Sequence, residues 1–132
     1  MIPNSINFLV VDDYPSIRKM LKANLKDIGF KGKILEADSA SSALEVLAEE
    51  KIDFIISDWR MPKMSGLEFL EKVRSDNSYD NVPFLFVTTV NEKDNVIEAI
   101  KAGASNYMIK PWKPDSLAEK IGECWKKHNP EE

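Results

Sequence analysis

The sequence predicts an α/β fold: a doubly wound parallel sheet of five strands, covered on both faces by five helices. Three observations carry this. Five short apolar runs alternate with five longer segments whose apolar residues recur at helical spacing. The short runs are apolar on both faces, as strands buried between two helical layers must be. The 132 residues suffice for one domain of this kind, expected to span 1–132.

The strand runs lie at 8–11, 34–35, 54–56, 82–87 and 107–109. Between the first two, Ile17, Met20, Leu21, Leu25 and Ile28 form one helical stripe, closed by Gly29 where a helix commonly ends. Leu44 and Leu47 mark a second helix, whose start at 39–42 offers serines as caps. Leu67, Leu70 and Val73 mark the third. Val96, Ile97 and Ile100 mark the fourth, with Gly103 past its end. The fifth follows Pro114, a favoured first-turn residue, and carries Leu117, Ile121, Cys124 and Trp125. Strand–helix alternation of this kind implies right-handed crossovers. The tail from about His128 is expected to fray.

Composition narrows the function. A hydrophobic fraction of 43% supports a core, and 30% charged residues suit a water-facing surface. With a net charge of −4 and no basic cluster, direct nucleic-acid binding is not expected. The lone Cys124 reads as a buried hydrophobe in a reducing compartment, and no run is long enough to span a membrane. A cytoplasmic domain is expected.

In a parallel α/β sheet, ligands bind beyond the carboxyl ends of the strands. Here those ends carry Asp12-Asp13, Asp58, Thr88-Thr89 and Lys110-Pro111. Three carboxylates at one edge repel unless positive charge intervenes. Lys110 supplies one charge and a hard divalent cation such as Mg²⁺ the remainder. A carboxylate so neutralised can attack phosphorus and form an acyl phosphate. Each signal has a plain rival: Asp12-Asp13 as a helix cap, Thr88 as a strand former, Lys110-Pro111 as a turn. Their order at successive strand ends favours the phosphoryl site, while Thr89 stays open.

LVVDD at 9–13, SDWRMPKMSGLE at 57–68, FVTT at 86–89 and YMIKPW at 107–112 resemble the receiver domains of bacterial two-component response regulators. The similarity covers most of the chain and is strongest to the stand-alone, CheY-like chemotaxis members. It implies a flavodoxin-like sheet with strand order 2-1-3-4-5, an order not read from the pattern itself. It implies Asp58 as the phosphoacceptor, with Thr88 and Lys110 holding the phosphoryl oxygens. Asp13, Asp58 and the Arg60 backbone carbonyl would ligate Mg²⁺, with Asp12 acting through water. Tyr107 would be the aromatic switch, and Lys110-Pro111 a cis peptide. The implied output face includes Lys93, Val96, Ile100, Tyr107, Met108 and Lys120.

The resemblance further implies a monomeric signalling protein rather than an enzyme. Its partners would be a chemotaxis histidine kinase, a flagellar motor-switch protein and a phosphatase. Two positions depart from the chemotaxis pattern: Arg60 replaces a usual asparagine and Val90 a frequent glutamate. A phosphoryl lifetime unlike that of the usual regulator is therefore expected. A phosphorelay intermediate or phosphate sink is the nearer rival. A haloacid-dehalogenase-type hydrolase is the remoter one, since it calls for a D-x-D stretch and commonly a cap. Trp59 is read as a partly exposed loop aromatic, and Trp112 and Trp125 as packing residues. His128, Lys72, Arg74, Lys101, Lys120, Lys126 and Lys127 are read as solvated.

Overall fold

A computed structural model describes residues 2–89 and 93–130; the side chains of 93–95 lie outside that description. The elements are β1 (Phe8–Val11), α1 (Pro15–Ile28), β2 (Ile34–Ala37), α2 (Ala40–Glu49), β3 (Phe54–Asp58) and α3 (Gly66–Arg74). A 3-10 turn (Asn77–Tyr79) then precedes β4 (Phe84–Thr88), α4 (Lys93–Ala102), β5 (Asn106–Ile109) and α5 (Pro114–His128). All neighbouring strands pair in parallel, in the order β2-β1-β3-β4-β5. Fold class and strand order match the expectation.

Alternation along the strands divides the core in two, because successive side chains point to opposite faces. Leu9, Val11, Ile55, Phe84 and Phe86 pack on one face with Leu47, Phe69, Leu70 and Ala99 from α2, α3 and α4. Phe8, Val10, Ile56, Leu85 and Val87 pack on the other with Leu21, Leu25, Leu117, Ile121 and Cys124 from α1 and α5. Both faces are covered, which is why the strand runs are continuously apolar.

The local signals act as their chemistry suggests. Gly29 ends α1 at φ 121, a left-handed conformation that costs glycine nothing. Ser39 and Ser42 close a capping box on α2, and Ser65 with Glu68 closes another on α3. β4 starts at Phe84, not at Val82, because the intervening Pro83 has no N–H to donate to a ladder.

Several expectations need correction. Met20 and Ile28 lie exposed at the margin of the α1 stripe, while Leu21 and Leu25 are buried. On α4 the small Ala99 faces the sheet, and Ile97 and Ile100 face water. Phe69, not picked out by spacing, is fully buried on α3.

His128 is neither frayed nor solvated. It closes α5 half-buried, its Nε2 2.8 Å from Ser105 Oγ. Because Ser105 Oγ accepts from the Phe84 N–H, its own proton is free to be donated to a neutral imidazole. Arg74, half-buried, also turns inward, whereas Lys127 is exposed, as expected, with only its ammonium reaching back to the backbone. Arg74 donates to the Gly103 and Tyr79 carbonyls at 3.0 and 2.7 Å, and Lys127 donates to the Ser105 carbonyl. These three residues satisfy backbone groups at the amino ends of β4 and β5, at the edge opposite Asp58. Lys72, Lys101 and Lys126 are exposed, as expected.

Candidate functional site

The carboxyl ends of β1, β3, β4 and β5 converge on one edge of the sheet. Asp12, directly after β1, continues the pairing through its N–H to the Ala37 carbonyl and is 1% exposed. It does not cap α1, whose N-cap residue is Tyr14. Instead its Oδ1 accepts from the Tyr14 N–H at 2.9 Å, bracing the turn into the helix. Asp58, the last residue of β3, is 7% exposed. The Lys110 ammonium sits between the two acids, 2.9 Å from Asp12 Oδ2 and 3.4 Å from Asp58 Oδ1. Lys110 is placed there by its own N–H, which bonds to the Thr88 carbonyl at 2.7 Å, and the Lys110–Pro111 peptide is cis.

Burial pushes the Asp58 carboxyl above its ordinary value. Lys110 pulls it down, and Asp12 adds to the rise. Lys110 therefore does not fully offset the burial of the Asp58 carboxyl. Asp13 gives the clearest sign that these residues fit a cation: its Oδ1 is buried and has no hydrogen-bond partner. One oxygen each from Asp12, Asp13 and Asp58 lie within 4.8 Å of one another, and a hard, oxygen-seeking divalent ion suits that set.

In front of the acids opens a cavity of about 360 Å³, lined among others by Asp13, Asp58, Arg60, Thr88, Thr89 and Lys110. Asp12 is not on the wall of the cavity but joins it through Lys110. The structure thus gathers Asp12, Asp13, Asp58, Arg60, Thr88 and Lys110 at one place. Thr89, left open by the sequence, is on the wall, as are Tyr14, Met61 and Pro62. Val90 lies outside the described residues.

Gly66 also shapes the site. A Cβ there would fall 2.3 Å from the Asp58 carbonyl and 2.8 Å from the Phe86 ring. Its N–H bonds to the Trp59 carbonyl at 2.8 Å, so the start of α3 closes directly on the backbone that presents Asp58. Trp59 packs edge-on against Phe86, ring centroids 5.0 Å apart.

Comparison with protein families matches residues 8–122 to the response regulator receiver domain. The chain belongs to that family. This receiver is 37% identical over 124 residues to the chemotaxis protein CheY of Pseudomonas aeruginosa, covering 94% of this chain and 99% of that protein. To the chemotaxis protein CheY homolog of Campylobacter jejuni it is 40% identical over 117 residues, covering 88% and 89%. Among solved structures, the chemotaxis response regulator CheY4 of Vibrio cholerae superposes with a TM-score of 0.83 at 32% identity, covering 91% of this chain and 98% of that one. The receiver is thus a CheY-like signalling domain, and the hydrolase reading falls away.

The implied output face is only partly surface. Met108 is 3% exposed and packs in the core with α1 and α5, so it is no contact residue. β5 carries it to the inner side of the sheet, whereas Tyr107, its neighbour, points the other way. Tyr107 is half-buried, and the Lys120 ammonium lies 5.7 Å from its ring centroid. Ile100 is exposed and Val96 half-buried. The backbone of Lys93 starts α4, but its side chain lies outside the described residues. Trp112 and Trp125 both pack, Trp112 donating to Asn24 Oδ1 at 2.9 Å. Among the described residues no helix is long and apolar enough to cross a membrane.

Proposed function

We propose that this receiver is a single-domain, phosphorylation-activated response regulator of the cytoplasm, taking a phosphoryl group from a chemotaxis histidine kinase on Asp58. The observation that carries the reading is the Lys110 ammonium shared between Asp12 and Asp58, beside the unpartnered, buried oxygen of Asp13. Asp13, Asp58 and the Arg60 carbonyl would hold Mg²⁺, which would supply charge to keep Asp58 ionised and to neutralise the transferred phosphoryl group.

The chain's own residues do the rest. A carboxylate oxygen of Asp58 forms the new O–P bond as the P–N bond to the donor imidazole breaks. The electron pair leaves on the ring nitrogen, which takes up a proton. Lys110 and the Thr88 hydroxyl receive the phosphoryl oxygens, and positioning and charge neutralisation suffice for such a transfer. Later attack by water releases phosphate and restores the carboxylate.

The added group carries roughly −1.5 to −2 charges near neutral pH. Thr88 closes on it, Tyr107 turns inward, and the surface formed by Lys93, Val96, Ile100, Tyr107 and Lys120 changes. A partner that prefers that arrangement reads the signal. We assign that role to a flagellar motor-switch protein, with the receiver acting as a monomer. Arg60 on the cavity wall speaks for a phosphoryl lifetime and a phosphatase response of its own.

The test is binding of a motor-switch amino-terminal peptide, with Mg²⁺ alone and with Mg²⁺ plus beryllofluoride, which mimics the phosphoryl group. Tryptophan fluorescence reports filling of the site. Tighter binding on activation, abolished in Asp58→Asn, supports the motor role. A filled site without tighter binding refutes that output and points to a phosphorelay intermediate or phosphate sink.

A further inference from the structure

One side chain outside the cavity is coupled to the backbone of the acid pair. Asp12 is almost wholly buried, and its N–H, Oδ1 and Oδ2 are engaged by Ala37, Tyr14 and Lys110. Its carbonyl, just past the end of β1, needs a partner as well, since a buried backbone oxygen without one is costly. Arg18, in the first turn of α1, supplies it: Nη1 donates to the Asp12 carbonyl at 2.7 Å. The same guanidinium donates through Nε to Glu36 Oε1 on β2 at 3.0 Å, and Lys22 approaches the other Glu36 oxygen at 3.8 Å. The guanidinium is thereby held at two points in its own plane.

The geometry points to Arg18 as a positioning residue for the cation site. The carbonyl it grips belongs to the peptide joining Asp12 to Asp13. Tilting that plane changes ψ of Asp12 and φ of Asp13, and so swings the Asp13 side chain, whose buried oxygen has no hydrogen-bond partner. This rests on the reading of Asp13 as a cation ligand. A half-buried surface ion pair by itself adds little stability and leaves a neighbouring metal site alone. Charge also distinguishes the roles: a cation near the site repels Mg²⁺, so removing a through-space charge would tighten binding, whereas removing a positioning contact weakens it.

The experiment titrates the full chain with Mg²⁺ by tryptophan fluorescence and calorimetry, for the wild type, Arg18→Met and Arg18→Lys, with Tm measured in the absence of divalent ions. Outer partners of metal ligands are worth about 10- to 100-fold in affinity, and Arg18 acts through the backbone, so about tenfold weaker Mg²⁺ binding is expected for Arg18→Met. Arg18→Lys is expected in between, since an ammonium can reach the carbonyl but cannot also hold Glu36 in the guanidinium plane. Arg18→Met binding Mg²⁺ within twofold of the wild type, or more tightly, overturns the role of Arg18, whatever the change in Tm. Absence of any saturable response in the wild type overturns the cation site itself, and this inference with it.

Discussion

Replacing Asp58 by asparagine should make the metal-free protein more stable, although it removes the residue on which signalling depends. Asp58 lies within 4.8 Å of oxygens on both Asp12 and Asp13, and 3.4 Å from the Lys110 ammonium. At an effective dielectric of about 20, each carboxylate costs about 3.5 kcal/mol at that separation and the ammonium returns about 5, a net penalty of about 2 kcal/mol. Water in the cavity screens part of this, while burial of the charge adds to it. A gain of about 1–2 kcal/mol near neutral pH follows, roughly 3–8 °C in Tm for a chain of this size.

The sign with pH follows from the raised carboxyl. Its penalty is present above the folded-state value and gone below the ordinary value of 3.8. The advantage of asparagine must therefore shrink as pH falls. Added Mg²⁺ reverses the order, because it stabilises the ionised wild type more. Thermal unfolding of both proteins with chelator, from pH 8 to pH 4, and again with Mg²⁺ at neutral pH, checks all three statements. An asparagine variant less stable than the wild type at pH 7 without metal would refute the reasoning, as would a gain that stays constant down to pH 4.

Three further outcomes are expected. Gly66→Ala drives a methyl group into the Asp58 carbonyl; overpacking of this kind costs about 1–3 kcal/mol, and urea titration should find such a loss together with slower phosphorylation by a small phosphodonor. Burial, aided by Arg74 and Lys127, holds the His128 imidazole below its ordinary value of 6.5, although a backbone bond at Asp80 pulls the other way. The stability that neutral His128 contributes is thus fully present above pH 6.5 and lost as pH falls through the folded-state value. Tm of the wild type should drop between pH 7.5 and pH 5 by more than that of His128→Gln; equal slopes would exclude the burial of His128 as the cause. Arg60→Asn combined with Val90→Glu should hasten loss of the phosphoryl group several-fold, about 1 kcal/mol of barrier. Phosphate release after removal of the donor measures this, and an unchanged lifetime refutes it.

Much of the fold was legible because its signals are local. A strand buried on both faces must be continuously apolar, a helix must repeat near every fourth residue, and Gly29 and Ser39 act within a few residues of themselves. The site was legible for a topological reason. A parallel sheet brings every strand's carboxyl end to one edge, so Asp12, Asp58, Thr88 and Lys110 meet wherever the loops run. That the last is 98 positions from the first changes nothing.

What escaped the sequence depends on the rotation of a helix about its axis and on contacts between distant segments. Ile97 helped to mark the apolar spacing of α4, but α4 sets Ala99 against the sheet and leaves Ile97 exposed, since one turn of a helix presents candidates on every side. Met108 and Tyr107 are adjacent and both apolar in character, yet the pleat sends one to each face of β5. Arg74 and His128 read as solvated because charge and chain position favour water. Only the packing of α3 and α5 beside the amino ends of β4 and β5 presents them with carbonyls and a hydroxyl to satisfy. Arg18 is the same case at the functional edge: nothing in its neighbourhood of sequence distinguishes it from the lysines around it. The sequence alone determined which residues must be covered and which strand ends carry the chemistry; the tertiary structure decided which polar groups answer the backbone left unpaired there, because those partners are chosen by proximity in space.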